Sequence, residues 1–382
     1  MQASLRRKKS ACLMPAGNDM GCIGKLLGYI LLGVNGLVVL LLLLSAFSPY
    51  LNPLEHSIWS STGLFFPVFA LLNLIFLVFW LFVSWRYALL PLLAFLFCWN
   101  ALRAYFPING WGDGVPSEHA IKMLTYNTQA FGLKAAHTKE KANEVLAYLQ
   151  ASDADIICLQ EYIWGDKLKK KDIDYALRDY PYRNYHPLGK GLNGLGVYSR
   201  FPILSVTPLK YKSNRNGSVA YRIKVGNDTL LVINNHLESN KILKSDVETF
   251  QDMIDDPDGE KVFSGVGKLL KKMARATAIR AGQADMLLEK VKTSADKYMV
   301  VCGDFNDTPI SYAHRVLHDE LNDAFVESGN GLGVSYNRDR LYVRIDHILT
   351  SKNLEVHHCT VDNTIKASDH YPVWCYISFP KR

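Results

Sequence analysis

A helical membrane anchor followed by an α/β domain is the fold class predicted by this 382-residue sequence. Three observations predict it. Leu, Phe, Val and Ile dominate residues 1 to about 110, whereas the remainder has ordinary globular composition. In that remainder, strand-like and helix-like segments alternate without an internal repeat, the pattern of layered α/β folds. Several of the apolar strands also end on polar side chains, a costly way to finish a buried strand unless those groups are used.

The anchor comes first. Residues 1–24 form a basic tail carrying Arg6, Arg7, Lys8 and Lys9. Leu26–Phe47 is uncharged and long enough to cross a bilayer, which takes about 20 apolar residues. It is too long for a signal peptide and lacks a small-residue cleavage site. Thr62–Val83 is a second such stretch. Tyr87–Leu102 is a shorter third, reaching a full span if it runs to Phe106 with Arg103 snorkelling to the interface. Three transmembrane helices are therefore expected over residues 25–106. They hold no internal Asp, Glu, Lys or His, so no ion or proton path is read from them. Basic residues precede the first span and Arg86 lies between the second and third, while Ser48–Ser61 has no Lys or Arg. Such asymmetry puts the N-terminus in the cytoplasm. The C-terminal domain then lies on the extracytoplasmic side if the third segment crosses, and in the cytoplasm if it is re-entrant.

Residues 107–118, rich in Gly and Pro, read as a linker, and residues 119–382 as one domain. Ala120–Tyr126 is strand-like, and Lys139–Gln150 has helical spacing through Ala142, Val145, Leu146 and Leu149. Ile156–Leu159 reads as a buried strand, and Gly194–Ser199 as a strand ending in the Arg200-Phe201-Pro202 turn. Val219–Val225 and Thr229–Asn234 alternate across Gly226-Asn227-Asp228, a hairpin signal. A long helical region covers Asn240–Val291, and its first part, Ser239–Gly267, is expected to lie over the site as a lid. Beyond it, Lys268, Lys271, Lys272 and Arg275 alternate with Leu269, Leu270 and Met273. That predicts a helix packed on the sheet with a solvated basic face, or alternatively one lying on a membrane surface. Tyr298–Cys302, Arg344–Leu349 and Pro372–Ser378 complete the strands.

The net charge of +7 is shared unevenly: 7 Lys+Arg and 3 Asp+Glu fall in the first 116 residues, leaving +3 for the rest. This is not the basic face of a dedicated nucleic-acid binder. Seven cysteines without close pairs indicate neither a zinc cluster nor a disulfide framework.

The chemistry gathers at strand ends. The run Tyr298–Cys302 leads into Gly303-Asp304-Phe305-Asn306. Alternation directs residues i and i+2 to one side, so Asp304 and Asn306 converge. A carboxylate beside a carboxamide suits a divalent cation and a phosphoryl oxygen. Asn127 closes Met123–Tyr126, Glu161 ends Ile156–Gln160, and His236 ends Leu231–Asn235. Asp346 lies in Arg344–Leu349, and Asp369-His370 precedes Tyr371-Pro372-Val373. Alone, each has a dull explanation as a turn, a cap or a core histidine. In this order, they resemble the endonuclease/exonuclease/phosphatase superfamily, which includes neutral sphingomyelinases, inositol-polyphosphate phosphatases and deadenylases. The motifs are the Asn127 strand, Leu159-Gln160-Glu161, Gly196 to Ile203, Asn235-His236-Leu237, Gly303-Asp304-Phe305-Asn306, Ile345-Asp346-His347-Ile348 and Ser368-Asp369-His370-Tyr371-Pro372. They span about Ile121 to Ser378.

The resemblance implies a four-layer α/β sandwich, two packed mixed sheets flanked by helices, with the site at one end between the sheets. It implies Glu161 as the main Mg²⁺ ligand, assisted by Asn127, with Asp369 as a second contact and Mn²⁺ as a substitute ion. Asp304 then orients or deprotonates the attacking water, Asn306 holds a phosphoryl oxygen, and His370, held by Asp346, contacts the scissile phosphate. His236 is implied as a donor to the phosphate, and Tyr198 and Arg200 as further substrate contacts. A phosphoester repels nucleophiles through its own charge, so metal and histidine are the groups such hydrolysis needs. One departure is Gln129, where apurinic-site endonucleases typically carry an acid, which argues against DNA repair. The expectation is a membrane-tethered hydrolase of phosphate esters. Its substrate would be a phospholipid or sphingolipid head group, a small phosphorylated compound, or nucleic acid gripped by Lys167, Lys169, Lys170 and Lys171. A non-catalytic scaffold on the same fold is the third reading, set against the presence of Glu161, Asp304, Asn306 and His370.

Overall fold

The computed structural model describes residues 22–110, 119–138, 141–189, 193–211, 213, 215–240, 259–338 and 341–380. The basic tail, most of the linker and residues 241–258 of the expected lid lie outside them.

Two six-stranded sheets form the domain. The first runs β13 (Glu355–Val361), β14 (Val373–Ser378), β1 (Ile121–Asn127), β2 (Ile156–Gln160), β4 (Gly194–Ser199) and β3 (Tyr182–Pro187). The second runs β5 (Ile203–Leu209), β6 (Gly217–Val225), β7 (Asp228–His236), β8 (Tyr298–Asp304), β12 (Asp346–Ser351) and β9 (Leu321–Asp323). Each is mixed: β1 and β2 are parallel, as are β7 and β8, and the other pairs run antiparallel. A small hairpin, β10 (Tyr336–Arg338) and β11 (Leu341–Val343), stands apart.

Side-chain alternation builds the layers. Met123, Cys158 and Val197 meet Val219, Val232, Val300 and Ile348 between the sheets. Their neighbours Leu124, Ile157 and Leu159 face outward, onto helices Glu144–Ala151 and Lys170–Ala176. On the far side, Leu231, Ile233 and Val301 pack against helices Gly259–Thr293 and Tyr312–His318. The four-layer sandwich is therefore what forms. The helix expected from Lys139 begins only at Glu144, because the Asn143 side chain accepts from Leu146 N at 3.1 Å and caps it there. On the long helix, Met273, Ala274 and Ala276 are buried while Lys268, Lys271 and Arg275 are exposed. That is the packed helix with a basic outer face.

In the N-terminal region expected to be the anchor, Gly24–Tyr50 and Ser57–Val83 are long and apolar enough to cross a membrane. The third expected span is two helices, Trp85–Phe97 and Trp99–Tyr105, bent by 67°. Buried amides join the three segments. Trp80 Nε1 donates to Asn35 Oδ1 at 3.0 Å, and Asn73 Nδ2 donates to the Pro91 carbonyl at 3.1 Å.

The sandwich rests on these N-terminal helices at several points. Ile310 is buried with Val39, Leu42, Ala46, Phe66 and Tyr105. Arg315 Nε donates to the Pro49 carbonyl at 2.9 Å, with its guanidinium over the Tyr50 ring. Arg344 donates to the Ala104 carbonyl, and Asn109 Nδ2 to the Val326 carbonyl at 2.9 Å.

Candidate active site

Strand register brings distant residues to one end of the sandwich. In the second sheet His236 is level with Asp304, and Asp304 with Asp346. In the first, Asn127 is level with Gln160, while Val373 lies beside Thr125, which carries His370 past the end of β1. Gly303, at φ +129°, is the residue that permits this closeness: a Cβ there would lie 2.1 Å from the Asn235 carbonyl oxygen. Just beneath, Gln160 Nε2 donates to Asn234 Oδ1 at 2.7 Å, and Asn234 Nδ2 to the Gly196 carbonyl at 3.0 Å. These buried amides cross the apolar layer and fix one sheet against the other.

Asp304 is the hub, 1% exposed. Its Oδ1 accepts from Asn306 N at 2.8 Å, and its Oδ2 from Asn127 Nδ2 at 3.0 Å and Asn306 Nδ2 at 3.2 Å. His236 Nε2 and His370 Nε2 stand 3.7 and 3.8 Å from the same oxygen. His370 Nδ1 is 2.8 Å from Asp346 Oδ2. Ser368 Oγ donates to the Asn127 carbonyl at 2.8 Å and accepts from His370 N at 3.1 Å, tying β1 to the histidine. Tyr336 lies edge-on to the His370 ring. Burial acts to lower the His370 pKa, but Asp346 and Asp304 outweigh it and carry the group to about 10. It is an imidazolium at neutral pH. Burial, with Asp346 adding to it, raises Asp304 against the opposing pull of His370 and His236.

A family model for the endonuclease/exonuclease/phosphatase family matches residues 124–370, well over half of the chain. The chain belongs to that family. Members are hydrolases of phosphate ester bonds, nucleases and phosphatases among them, and so is this enzyme. Residues 28–105 match a second model, a domain of unknown function. No curated protein matches. Among solved structures, the human Nocturnin catalytic domain with bound sulfate is 18% identical, with a TM-score of 0.51, covering 70% of this chain and 97% of its own. A D. rerio TDP2 complexed with single-strand DNA product is 16% identical, with a TM-score of 0.49, covering 68% and 100%. An endonuclease/exonuclease/phosphatase from Beutenbergia cavernae is 17% identical, with a TM-score of 0.49, covering 69% and 72%. At such identities the likeness to Nocturnin is one of fold.

The family generally uses divalent metals, and the described residues hold three groups of candidate donors. Ligand atoms of Asp304, Asp346 and His370 lie within 4.8 Å of one another, and there the imidazolium offsets part of the charge of the two carboxylates. Glu161 differs. It is half-buried at φ +47°, and no hydrogen bond to its carboxylate is found among the described residues. A carboxylate in the left-handed region and without a hydrogen bond among the described residues is a candidate for holding a ligand. Asp369 is its neighbour: burial raises the Asp369 pKa, and the Glu161 charge adds to that. Asn127 Oδ1 accepts from Gln129 N at 3.1 Å and keeps a second lone pair. Hard oxygen donors carrying repelling charges fit a hard cation. A separate buried trio, His314, Asp323 and His347, is already engaged in contacts of its own. His314 Nε2 lies 2.8 Å from Asp323 Oδ2, and against burial, His314, Arg344 and His347 hold the Asp323 carboxyl well below its usual range.

Of the residues singled out in sequence, Glu161, Asn127, Asp304, Asn306, His236, Asp346, Asp369 and His370 stand together at this end. Tyr198 and Arg200 do not. β4 runs antiparallel to β2, with Ser199 level with Ile156, so the strand finishes at the opposite end of the sheet. Arg200 pairs there with Asp153 and Asp155. Tyr198 is buried under the outer helices with its hydroxyl on Tyr162 and Asp174. Asn306 uses both its amide hydrogens on Leu237 O and Asp304, so it braces the carboxylate. Arg280, 1% exposed and bonded to Asp307, has no motif around it. Its one signal is an arginine on the apolar face of a long helix.

Proposed function

We propose that this chain is a membrane-tethered, Mg²⁺-dependent phosphoesterase that hydrolyses the phosphoester of a lipid head group. One observation carries the reading: the end of the sandwich that bears the cluster is the end that rests on the anchor. Ile310, four residues beyond Asn306, is buried among anchor side chains, and Arg344, two residues before Asp346, bonds the Ala104 carbonyl. In this reading the site faces the membrane surface from which the anchor emerges, and tethering there would raise the effective concentration of surface lipids. The long helix that exposes Lys268, Lys271 and Arg275 meets the anchor at Ser61, whose Oγ lies 3.2 Å from Thr277 Oγ1. A basic stripe in that position attracts anionic lipid surfaces. The domain lies on the side of the Ser48–Ser61 loop, hence extracytoplasmic by the distribution of basic residues.

Glu161, Asn127 and Asp369 would hold the Mg²⁺, which would supply neutralisation of phosphoryl charge. Asp304, more basic than an ordinary carboxylate and braced by Asn127 and Asn306, accepts the proton of the attacking water. The His370 imidazolium, steadied by Asp346, donates to the phosphoryl oxygens as their charge builds. His236 Nδ1 is buried without a partner and supplies a second contact. The nucleic-acid reading rested on Lys167–Lys171, but Lys170 pairs with Asp174 along its own helix, as a solvated face does.

The test uses the full chain in liposomes with Mg²⁺, offered sphingomyelin, a phosphoinositide and single-stranded DNA. Lipid hydrolysis is expected to exceed DNA cleavage, and Asp304→Ala and Glu161→Ala each to lose about 10²–10³-fold or more while remaining folded. Faster DNA cleavage would transfer the assignment to a nuclease. Substantial activity in either variant would remove the residue from its role.

A further inference from the structure

We propose that Arg280 is a positioning residue through which the anchor sets the geometry of the catalytic loop, making the membrane segment part of the site. Arg280 reaches three places at once. Its Nε donates to Asp307 Oδ2 at 2.9 Å, in the loop that leaves Asp304 and Asn306. Its Nη1 donates to the Glu238 carbonyl and to Asn240 Oδ1, both at 2.9 Å, just after His236. Its Nη2 donates to Thr277 Oγ1 at 3.0 Å, and the Thr277 hydroxyl meets Ser61 in the anchor. A planar guanidinium with all three nitrogens engaged holds both strand exits in one fixed relation. The same loop is gripped again further on. The Asp307 carbonyl lies 3.0 Å from His347 Nε2, and Ile310 is buried in the anchor. The fit there is tight, since a Cβ on Gly63 would lie 2.0 Å from the Ile310 carbonyl oxygen. From anchor to catalytic loop the contacts run by two routes: Gly63 against Ile310 in the loop that follows Asp304, and Ser61 through Thr277 and Arg280 to Asp307 in the same loop.

The proposal rests on the phosphoesterase reading only for its activity measurement, so a second measurement accompanies it. The full chain, purified in detergent, is assayed with bis(p-nitrophenyl) phosphate and Mg²⁺, and amide hydrogen exchange is followed over residues 304–311. Gly63→Ala, in the anchor, and Arg280→Met are each expected to lower kcat about 10–100-fold, with KM and the Mg²⁺ dependence little changed. Both are expected to speed exchange in residues 304–311 while the central strands exchange as before. Arg280→Lys, which keeps the charge without the fork, recovers part of the loss. Gly36→Ala, where a Cβ meets nothing within 4 Å, behaves as the unaltered chain. Should Gly63→Ala fail to fold, Ser61→Ala replaces it. Unaltered turnover and exchange in the anchor variant overturn the proposal. If the unaltered chain cleaves no phosphodiester, faster exchange in Gly63→Ala still supports the coupling, the phosphoesterase reading alone falls, and unchanged exchange overturns the coupling.

Discussion

His370 has two carboxylates on its two ring nitrogens, and that arrangement fixes what it can do. Its folded pKa, about 10, lies above the ordinary histidine value. The charged form therefore persists through neutral pH, and its contribution to stability is complete below about pH 6.5 and lost as pH rises through about 10. Replacing Asp346 with Asn removes the partner at 2.8 Å and lowers that pKa. The alkaline limb of kcat/KM in Asp346→Asn is expected to move down by about one pH unit or more, each unit being about 1.4 kcal/mol. A pH–rate profile measured with Mg²⁺ at saturation checks this, and an unmoved limb would take His370 out of the proton economy. Residue types and their order made this pair legible in sequence. The carboxylate in strained backbone at Glu161 was not legible as such, because a left-handed φ is a property of the folded turn.

Strand ends were the reliable signal at the scale of elements, and strand direction was the unreliable one. Asn127, Glu161, His236 and Asp304 end parallel neighbours, so their ends coincide. β4 carries an equally recognisable motif, yet it runs against β2 and delivers Arg200 to the foot of the sheet. Periodicity states which face a residue takes and says nothing of which way the strand points. Arg280 was invisible for a related reason: its partners come from three separate stretches of chain. β12 carries a further consequence. His347 follows Asp346, its Nε2 faces the Asp307 carbonyl at 3.0 Å, and burial depresses its pKa to about 3. A depressed histidine is neutral when folded and takes up a proton on unfolding, so stability is full above about pH 6.5 and declines as pH falls toward 3. His347→Phe, packed against Phe305 and His314 as the imidazole is, is expected to flatten that decline. Melting temperatures from pH 7 to 4 measure it; an identical slope in both proteins would mean that other groups carry the acid sensitivity.

For the molecule as a whole, anchor and sandwich form one body, and this constrains how the chain lies in a membrane. Leu26–Phe47 and Thr62–Val83 announced themselves by length and apolarity alone. The bend between Trp85–Phe97 and Trp99–Tyr105 and the docking of Ile310 into the bundle depend on tertiary packing. Arg315 bonded to Pro49 and Ser61 beside Thr277 put the domain against the loop between the first two spans. In the proposed topology, Arg86 lies on the opposite face from that loop. In the proposed topology, a domain touching that loop shares its side of the bilayer. Cysteines placed at Glu55, Ser84 and Asn227 test this, once Cys12 and Cys22 are replaced by Ser. Cys98, Cys158, Cys302, Cys359 and Cys375 are buried and stay inert. A membrane-impermeant maleimide added to intact cells is expected to label Glu55→Cys and Asn227→Cys, and to reach Ser84→Cys only after permeabilisation. Labelling of Glu55→Cys and Asn227→Cys from opposite sides would be incompatible with the anchor contacts.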